Sequence, residues 1–432
     1  MIVPAKNEVY GNMKDAICPQ EKFTLCMACV NSCPRGAIYL DHDAYGYEKI
    51  SIDPNLCVEC GLCDRVCQRR QTVSRNTPRW NYAAQVKRRE ELMASASGGA
   101  FQTLAKIVLE RQGVCYGCAF GKEDDGFHAR HVRVDSISEL PRILNTKYIP
   151  SIIGKSFSEA KADLEAGRLV LFSGTPCQIQ GLRAYLNRDY DGLLTADVIC
   201  HGVTASRYFN EYIQCVEERE NIQITDYSFR DKSVSWGTNF CYSYYRQGDD
   251  AKRIRQKHLP REASSYTTHY LRGDIFRENC HSCTLSCVER VSDFTLGDYW
   301  EIEREHPEFV TSKTPAMSLR GGVSCILANT ARAKEFMPLL EEKMIVHPVS
   351  LDSVRDHNGN LRAPTPRGDA REWILNTYKA NGYRPVDEAY RKSVGRKMAV
   401  YRLKNILKSR LPDRVRIMIY RSAALRRIVF HK

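Results

Sequence analysis

Apolar positions along this 432-residue chain change period from one segment to the next, and each change marks an element. Residues 37–53 alternate apolar and polar side chains, which predicts a short hairpin. Phe101, Leu104, Ile107 and Val108 recur at helical spacing behind Ser95, Ser97, Gly98 and Gly99, so a helix opens on that run of small residues. Residues 114–120 read as a strand. Residues 168–186 read as a short apolar strand, a turn at Gly174 and Pro176, and an amphipathic helix. A further strand covers 193–200, and a last strand and helix run from Gly321 through Glu342. Residues 1–17 show no clear period.

Strands that end in turns carrying Cys177 and Cys200 are what a parallel α/β sheet places along its ligand-binding edge. The expected fold class is therefore an α+β ferredoxin-like N-terminal module, an α/β domain with a largely parallel or mixed sheet, and a basic helical tail. The divisions fall at 1–78, 79–390 and 391–432, with Thr77–Pro78 closing the first module.

Composition narrows this picture in two ways. No stretch approaches eighteen consecutive apolar residues and the N-terminus lacks a signal-peptide pattern, so the expectation is a soluble, cytoplasmic protein. The net charge of +13 is concentrated: residues 391–432 hold 14 Lys or Arg and one acid, Asp413, while the remaining basic and acidic residues cancel. Apolar residues recur at helical spacing through 397–411 and 415–430 with Arg and Lys between them. That pattern suits a helix lying on an anionic membrane surface, peripheral on its inner face, or on an acidic partner. A helix pair docked on the protein's own body reads the same way, and nucleic acid is the weakest fit, because aromatics are few and no reading motif is present.

The cysteines carry the chemistry. Cys26, Cys29 and Cys33 form one run, followed by Pro34; Cys57, Cys60, Cys63 and Cys67 form a second. This resembles the double run of a two-cluster ferredoxin, in which three close thiolates hold one iron–sulfur cube and the fourth crosses to the other. Cys57, Cys60 and Cys63 with Cys33 then hold one 4Fe-4S cluster, and Cys26, Cys29 and Cys67 hold most of the other. Structural zinc also uses paired cysteines, but the second run puts too many thiolates on one loop for a tetrahedral ion. Disulfides do not suit such a dense cluster in a chain without a secretory segment. By spacing, the first run should begin at position 23, which is Phe23. Either Cys18 reaches in as the fourth ligand, or the site is a 3Fe-4S or labile cluster.

Further along, Ser97, Gly98 and Gly99 open a helix where backbone N–H groups and the dipole favour a phosphate, although an ordinary capped helix reads the same way. Gly117 to Lys122 is one residue short of a P-loop and lacks the Ser or Thr after Lys, which excludes that motif. Cys115 and Cys118 read as packing thiols. Cys177 falls at a helix N-terminus, where the dipole lowers a thiol pKa. His201 follows Cys200 at a strand end. Arg230, Lys232 and Trp236 group two cations with a flat ring, suited to a phosphorylated aromatic ligand, or else to a solvated hairpin. Cys280, Cys283 and Cys287 form a third thiol group that needs a distant fourth ligand, for which Cys177 and Cys200 are the natural donors.

The order of these motifs resembles the beta subunits of coenzyme F420 hydrogenases and dehydrogenases with an N-terminal ferredoxin-like domain. The matching stretches are Ser97–Gly99, Gly174–Gln178, Cys200–Gly202, Phe229–Lys232 with Trp236, Cys280 with Cys283, and Ser292–Trp300. The resemblance implies an FAD-binding α/β domain with a third cluster at Cys177, Cys200, Cys280 and Cys283, Cys287 being in reserve. It also implies a cofactor site drawn from Ser97, Gly98, Gly99, Thr175, His201, Arg230, Lys232, Trp236 and Asp298. The expected function is an iron–sulfur flavoprotein oxidoreductase that takes electrons from a ferredoxin-like donor and reduces a small organic substrate or a deazaflavin. The alternatives are an electron-transfer subunit feeding a partner enzyme, or a cluster-bearing regulatory protein.

Overall fold

The computed structural model describes residues 18–70, 73–312, 315–422 and 425. The expectations for residues 1–17 and for most of 423–432 lie outside them.

Apolar alternation between 37 and 53 folds as β1 (Ile38–His42) and β2 (Glu48–Ile52), paired antiparallel. This hairpin joins the two cysteine runs, each of which winds into a short helix, Ala28–Ser32 and Leu62–Arg65. The two loops share a backbone device. Leu25 and Met27 flank Cys26 with φ of 60° and 57°, and Glu59 and Gly61 flank Cys60 with φ of 52° and 71°. Left-handed residues on both sides of a cysteine turn successive N–H groups inward, a concave arrangement suited to an anionic centre. Non-glycine residues there cost roughly 1–3 kcal/mol and need surrounding structure to hold them. Met27 and Leu25 have it, at 3% exposure each.

The larger region is built on an eight-stranded sheet ordered β13-β3-β12-β11-β7-β6-β4-β5. Its strands are β3 (Trp80–Val86), β4 (Val114–Glu123), β5 (Gly126–Val134), β6 (Val170–Gly174), β7 (Leu193–Val198), β11 (Phe294–Asp298), β12 (Ser324–Ala328) and β13 (Met344–Pro348). The four central strands β4, β6, β7 and β11 are mutually parallel, and antiparallel pairs extend both flanks. The sheet is therefore mixed. A second, antiparallel sheet of β8 (Ile222–Ser228), β9 (Phe240–Arg246) and β10 (Arg255–Leu259) packs through an aromatic core that includes Tyr208, Phe209, Tyr227 and Tyr266.

The cysteine-rich segment is part of this body. Phe23, Leu25, Met27 and Ala28 share one apolar cluster with Phe157, Phe172, Ile179 and Leu182. Glu48 of β2, 3% exposed, accepts from Ser206 at 2.6 Å and from Arg277 at 3.2 Å. A buried carboxylate needs such partners, and here they come from the other side of the junction. Asn76 and Arg290 exchange backbone hydrogen bonds at 2.8 and 2.9 Å, which ties the connecting segment to the loop carrying Cys280–Cys287.

Candidate functional site

Three groups of thiols and one cavity form a continuous region from the protein surface to the carboxyl ends of the parallel strands. The outermost group surrounds a small cavity of about 60 Å³, whose walls include Cys33, Cys57, Cys60 and Cys63. Cys60 is exposed. Beside it stand Leu56, Val58 and Leu62, 40%, 59% and 37% exposed, large apolar side chains left in water at the rim.

The inner group joins Cys26, Cys29 and Cys67 with Cys18. Burial pushes the Cys18 thiol up to about 11, and the nearby Cys67 and Cys26 push it the same way against Arg69. Cys29 is raised by burial and then by Cys26, Cys67 and Cys63. Phe23, at the position where the spacing calls for cysteine, is 4% exposed and lies under the Arg277 guanidinium at 5.1 Å.

The third group assembles residues from distant parts of the chain. Burial raises Cys177 well above its ordinary value, and Cys200, Cys283 and Cys280 add to the rise. Cys200 responds to Cys280 and Cys283 in the same way. The helix Pro176–Leu186 begins beside Cys177 as the sequence predicts, while the net direction at this thiol is upward, from burial first and neighbouring thiols after it, against a hydrogen bond from Thr175. Cys287 stands apart. Its Sγ donates to the carbonyls of Thr284 and Glu289 at 3.5 and 3.3 Å, and its charged neighbours are Arg75, Glu289 and Arg290.

Desolvated thiols that raise one another's pKa cannot all ionise unless a cation joins them, and thiolates are the ligands that iron–sulfur clusters use. The mutual shifts are seen at Cys18, Cys26 and Cys29 of the inner group and at Cys177, Cys200 and Cys280 of the third, and each of the three groups offers the four thiols that one cluster takes. Arg290 fixes the loop of the third group. Fully buried, it reaches Asp197 of β7 at 3.0 Å and the carbonyls of Leu285 and Cys287 at 3.0 and 3.2 Å.

A cavity of about 330 Å³ opens at the carboxyl ends of β6, β7 and β11. It is lined from every direction: Thr24 and Leu25 from the inner cysteine loop, Ser97 and Gly99 from the small-residue turn, Thr175, Cys200 and His201 from the strand ends, and Arg230 and Asp298 opposite. Such placement outside the carboxyl ends of parallel strands is where open α/β sheets bind ligands. Arg230 and Asp298 form a two-pronged pair at 2.8 and 3.0 Å. Burial works against the Asp298 charge, but Arg230, together with hydrogen bonds from Ser97 and Trp236, holds its pKa below the usual range.

Three expected cofactor residues do not line the cavity. Gly98 is needed for close packing: a Cβ there would fall 2.2 Å from the Ala84 carbonyl oxygen and 2.5 Å from the Ser324 nitrogen. Lys232 turns away, its ammonium donating to the carbonyls of Leu92, Ser97 and Gly321 at 2.6 Å each. Burial, aided by Arg230, lowers its pKa to about 7. Trp236 donates to Asp298 at 2.8 Å and stacks on Trp300 at 4.9 Å, so it buttresses the wall rather than forming it. His201 faces the cavity, with its pKa lowered by burial and by Arg230 against the pull of Asp298.

Several lining residues had no signal in the sequence. Cys118, read as packing, lines the cavity, and so do Lys147, Tyr148 and Ser151. His131 is buried, and its Nε2 donates to the Ser173 carbonyl at 2.8 Å. The ring's Nδ1 therefore accepts from Ser151 at 2.8 Å. Gln178 accepts from the Thr175 N–H and donates to the Ser151 carbonyl, both at 3.0 Å, locking the turn before Cys177.

The cysteine loops and the mixed sheet together define an iron–sulfur protein of the electron-transfer class. Residues 24–70 match the family model described as 4Fe-4S dicluster domain, and residues 167–353 match that of the C terminus of the coenzyme F420 hydrogenase/dehydrogenase beta subunit. Residues 167–353 are thus similar to the C terminus of the F420 hydrogenase/dehydrogenase beta subunits, a family of oxidoreductases, and residues 24–70 to a 4Fe-4S dicluster domain. No curated protein matches the chain. Among solved structures, it is similar to a chain of the F420-reducing NiFe hydrogenase complex from Methanosarcina barkeri. That likeness has 16% identity and a TM-score of 0.40, and covers 66% of this chain and 89% of the other.

Proposed function

We propose that this protein is an iron–sulfur flavoprotein oxidoreductase that takes electrons from a ferredoxin-type donor and reduces a small organic substrate, or a deazaflavin, at FAD held in the 330 Å³ cavity. One observation carries the reading. Cys200 belongs to the third thiol group and also lines the cavity wall, while Thr24 and Leu25 bring the inner cysteine loop to the same space.

In this reading Cys33, Cys57, Cys60 and Cys63 hold the outer cluster, where the exposed apolar rim offers a donor its contact. Cys18, Cys26, Cys29 and Cys67 hold the inner cluster, and Cys177, Cys200, Cys280 and Cys283 hold a third. Clusters carry one electron at a time and a flavin carries two as hydride, so both together join a one-electron donor to two-electron chemistry. Ser97, Gly99, Thr175 and His201 form the cofactor's walls. The Arg230–Asp298 pair offers an oriented polar surface without net charge. The functional divisions remain 1–78, 79–390 and 391–432.

The tail adds a location. Residues Lys397–Arg410 and Asp413–Arg421 are helical. The second helix docks: Arg416 is 4% exposed and donates to the Val234 carbonyl at 2.8 Å. The first presents Val400, Leu403, Ile406 and Leu407 to water at 50–57% exposure among Lys and Arg. An anionic membrane surface matches both the apolar face and the charge. No helix among the described residues is long and apolar enough to cross a membrane.

The test is anaerobic reduction with dithionite, followed by absorbance. The reading expects flavin bleaching that a substrate reverses in the isolated chain. In Cys200→Ser, the flavin should stay bound but lose reduction by a ferredoxin donor. Turnover only in the presence of a partner enzyme would favour an electron-transfer subunit instead.

A further inference from the structure

We infer that Lys147 is the counter-ion for an anionic oxygen group, phosphate or carboxylate, of the ligand in the cavity at the strand ends. The inference rests on the reading that this cavity holds the redox cofactor and its substrate.

Charge at the cavity wall is unbalanced at one position. Of the described lining residues, Lys147 and Arg230 are the ones with lysine or arginine side chains. Arg230 is neutralised by its pair with Asp298. Lys232, the other cation of that region, is held by three carbonyls behind the wall. The Lys147 ammonium donates to the Leu144 carbonyl, and no carboxylate among the described residues pairs with it. The Cys118 thiol beside it offers no compensating charge at neutral pH, because burial pushes that thiol up in turn. Desolvating an unpaired ammonium is costly and lowers its pKa, as it does here. An anion entering the cavity removes that cost.

The backbone holds this lysine in place. Asn145, two residues before it, has φ of 70°. Immediately after it, Tyr148 stacks on Tyr270 at 4.7 Å and meets Phe229 edge-on at 5.6 Å. Ser151 is tied to His131 through its hydroxyl and to Gln178 through its carbonyl. Ile152 then exchanges backbone hydrogen bonds with Ala129 and His131, both at 2.9 Å. A cation presented on a fixed loop needs little reorganisation when the anion arrives, which is where such charges act most strongly.

Two sources supply this chemistry: the pyrophosphate of the cofactor or an acidic group of the substrate. The full chain, purified anaerobically and stripped of flavin, is compared as wild type, Lys147→Gln and Lys147→Arg. FAD, riboflavin and benzoate serve as probes. If the cofactor is the source, Lys147→Gln loses about tenfold in FAD affinity, riboflavin affinity is unchanged, and Lys147→Arg restores most of the loss. If the substrate is the source, FAD binds all three alike, but the benzoate-induced change in flavin absorbance weakens about tenfold in Lys147→Gln alone. Equal FAD and benzoate binding by all three overturns the inference. Should the wild type bind no flavin, the flavin reading fails separately. The lysine is then probed by acetylation and peptide mass: protection of Lys147 by pyrophosphate or benzoate supports it as an anion site, and unchanged labelling overturns it.

Discussion

Gly181 lies against Cys26: a Cβ built on Gly181 would fall 2.8 Å from the Cys26 Cβ and 3.3 Å from its Sγ. The helix that begins beside Cys177 thus abuts the loop of the inner thiol group. Gly181→Ala pushes that loop outward, because the atom it meets is at the root of the Cys26 side chain, held between the left-handed residues Leu25 and Met27. The expected cost is about 1–3 kcal/mol, with slower electron passage from donor to cavity. Thermal melting and stopped-flow reduction check both.

Cys18 is expected to complete the inner cluster in place of the missing cysteine at position 23. Cys18→Ala should then leave three thiol ligands there, and the oxidised protein should gain the electron paramagnetic resonance signal of a 3Fe-4S centre. An unchanged spectrum and iron content would remove Cys18 from the ligand set.

Cys60→Ala opens the exposed outer group. About four irons per chain should be lost, with donor-driven reduction blocked and flavin content retained. Iron analysis beside flavin analysis separates these effects.

His131 predicts a pH dependence. Burial lowers its pKa to about 4 from 6.5, against the pull of the Ser173 carbonyl. The folded protein therefore holds this ring neutral at pH values where the unfolded chain protonates it. The stability it contributes is complete above about pH 6.5, and up to about 3 kcal/mol is lost as the pH falls towards 4. His131→Gln should flatten the melting curve over that window while other acid-sensitive groups still act at lower pH.

The tail predicts salt-sensitive binding to vesicles containing anionic lipid. Leu403→Glu with Leu407→Glu, both on the exposed face of Lys397–Arg410, should abolish co-sedimentation without altering flavin reduction. Binding that survives these changes excludes that face as the contact.

Local features were legible in the sequence, and nonlocal ones were not. The cysteine runs and the hairpin between them declare themselves through spacing of a few residues. So do the strand–turn–helix units at Val170–Leu186 and Ser324–Lys343, where apolar period and turn residues agree. Strand β3 escaped notice because it is buried along nearly its whole length and carries Asn81 and Gln85 inside, which erases any alternation. Its place between β12 and β13 follows from pairing across more than 230 residues.

At the site, Arg230, Lys232 and Trp236 look like one group in sequence. In three dimensions the arginine lines the cavity, the lysine points to carbonyls behind it and the tryptophan buttresses it. Alternation along irregular backbone does not reveal such divergence. Lys147 has the opposite history: nothing in its neighbourhood of apolar and turn residues marks it, and only the cavity wall gives it a role.

The most direct test of the account is anaerobic purification with iron, acid-labile sulfide and released cofactor measured on the same sample. Three thiol groups of four predict about twelve irons per chain, with one FAD. About eight irons would contradict three complete clusters, and clusters without any flavin would contradict the flavoprotein reading itself.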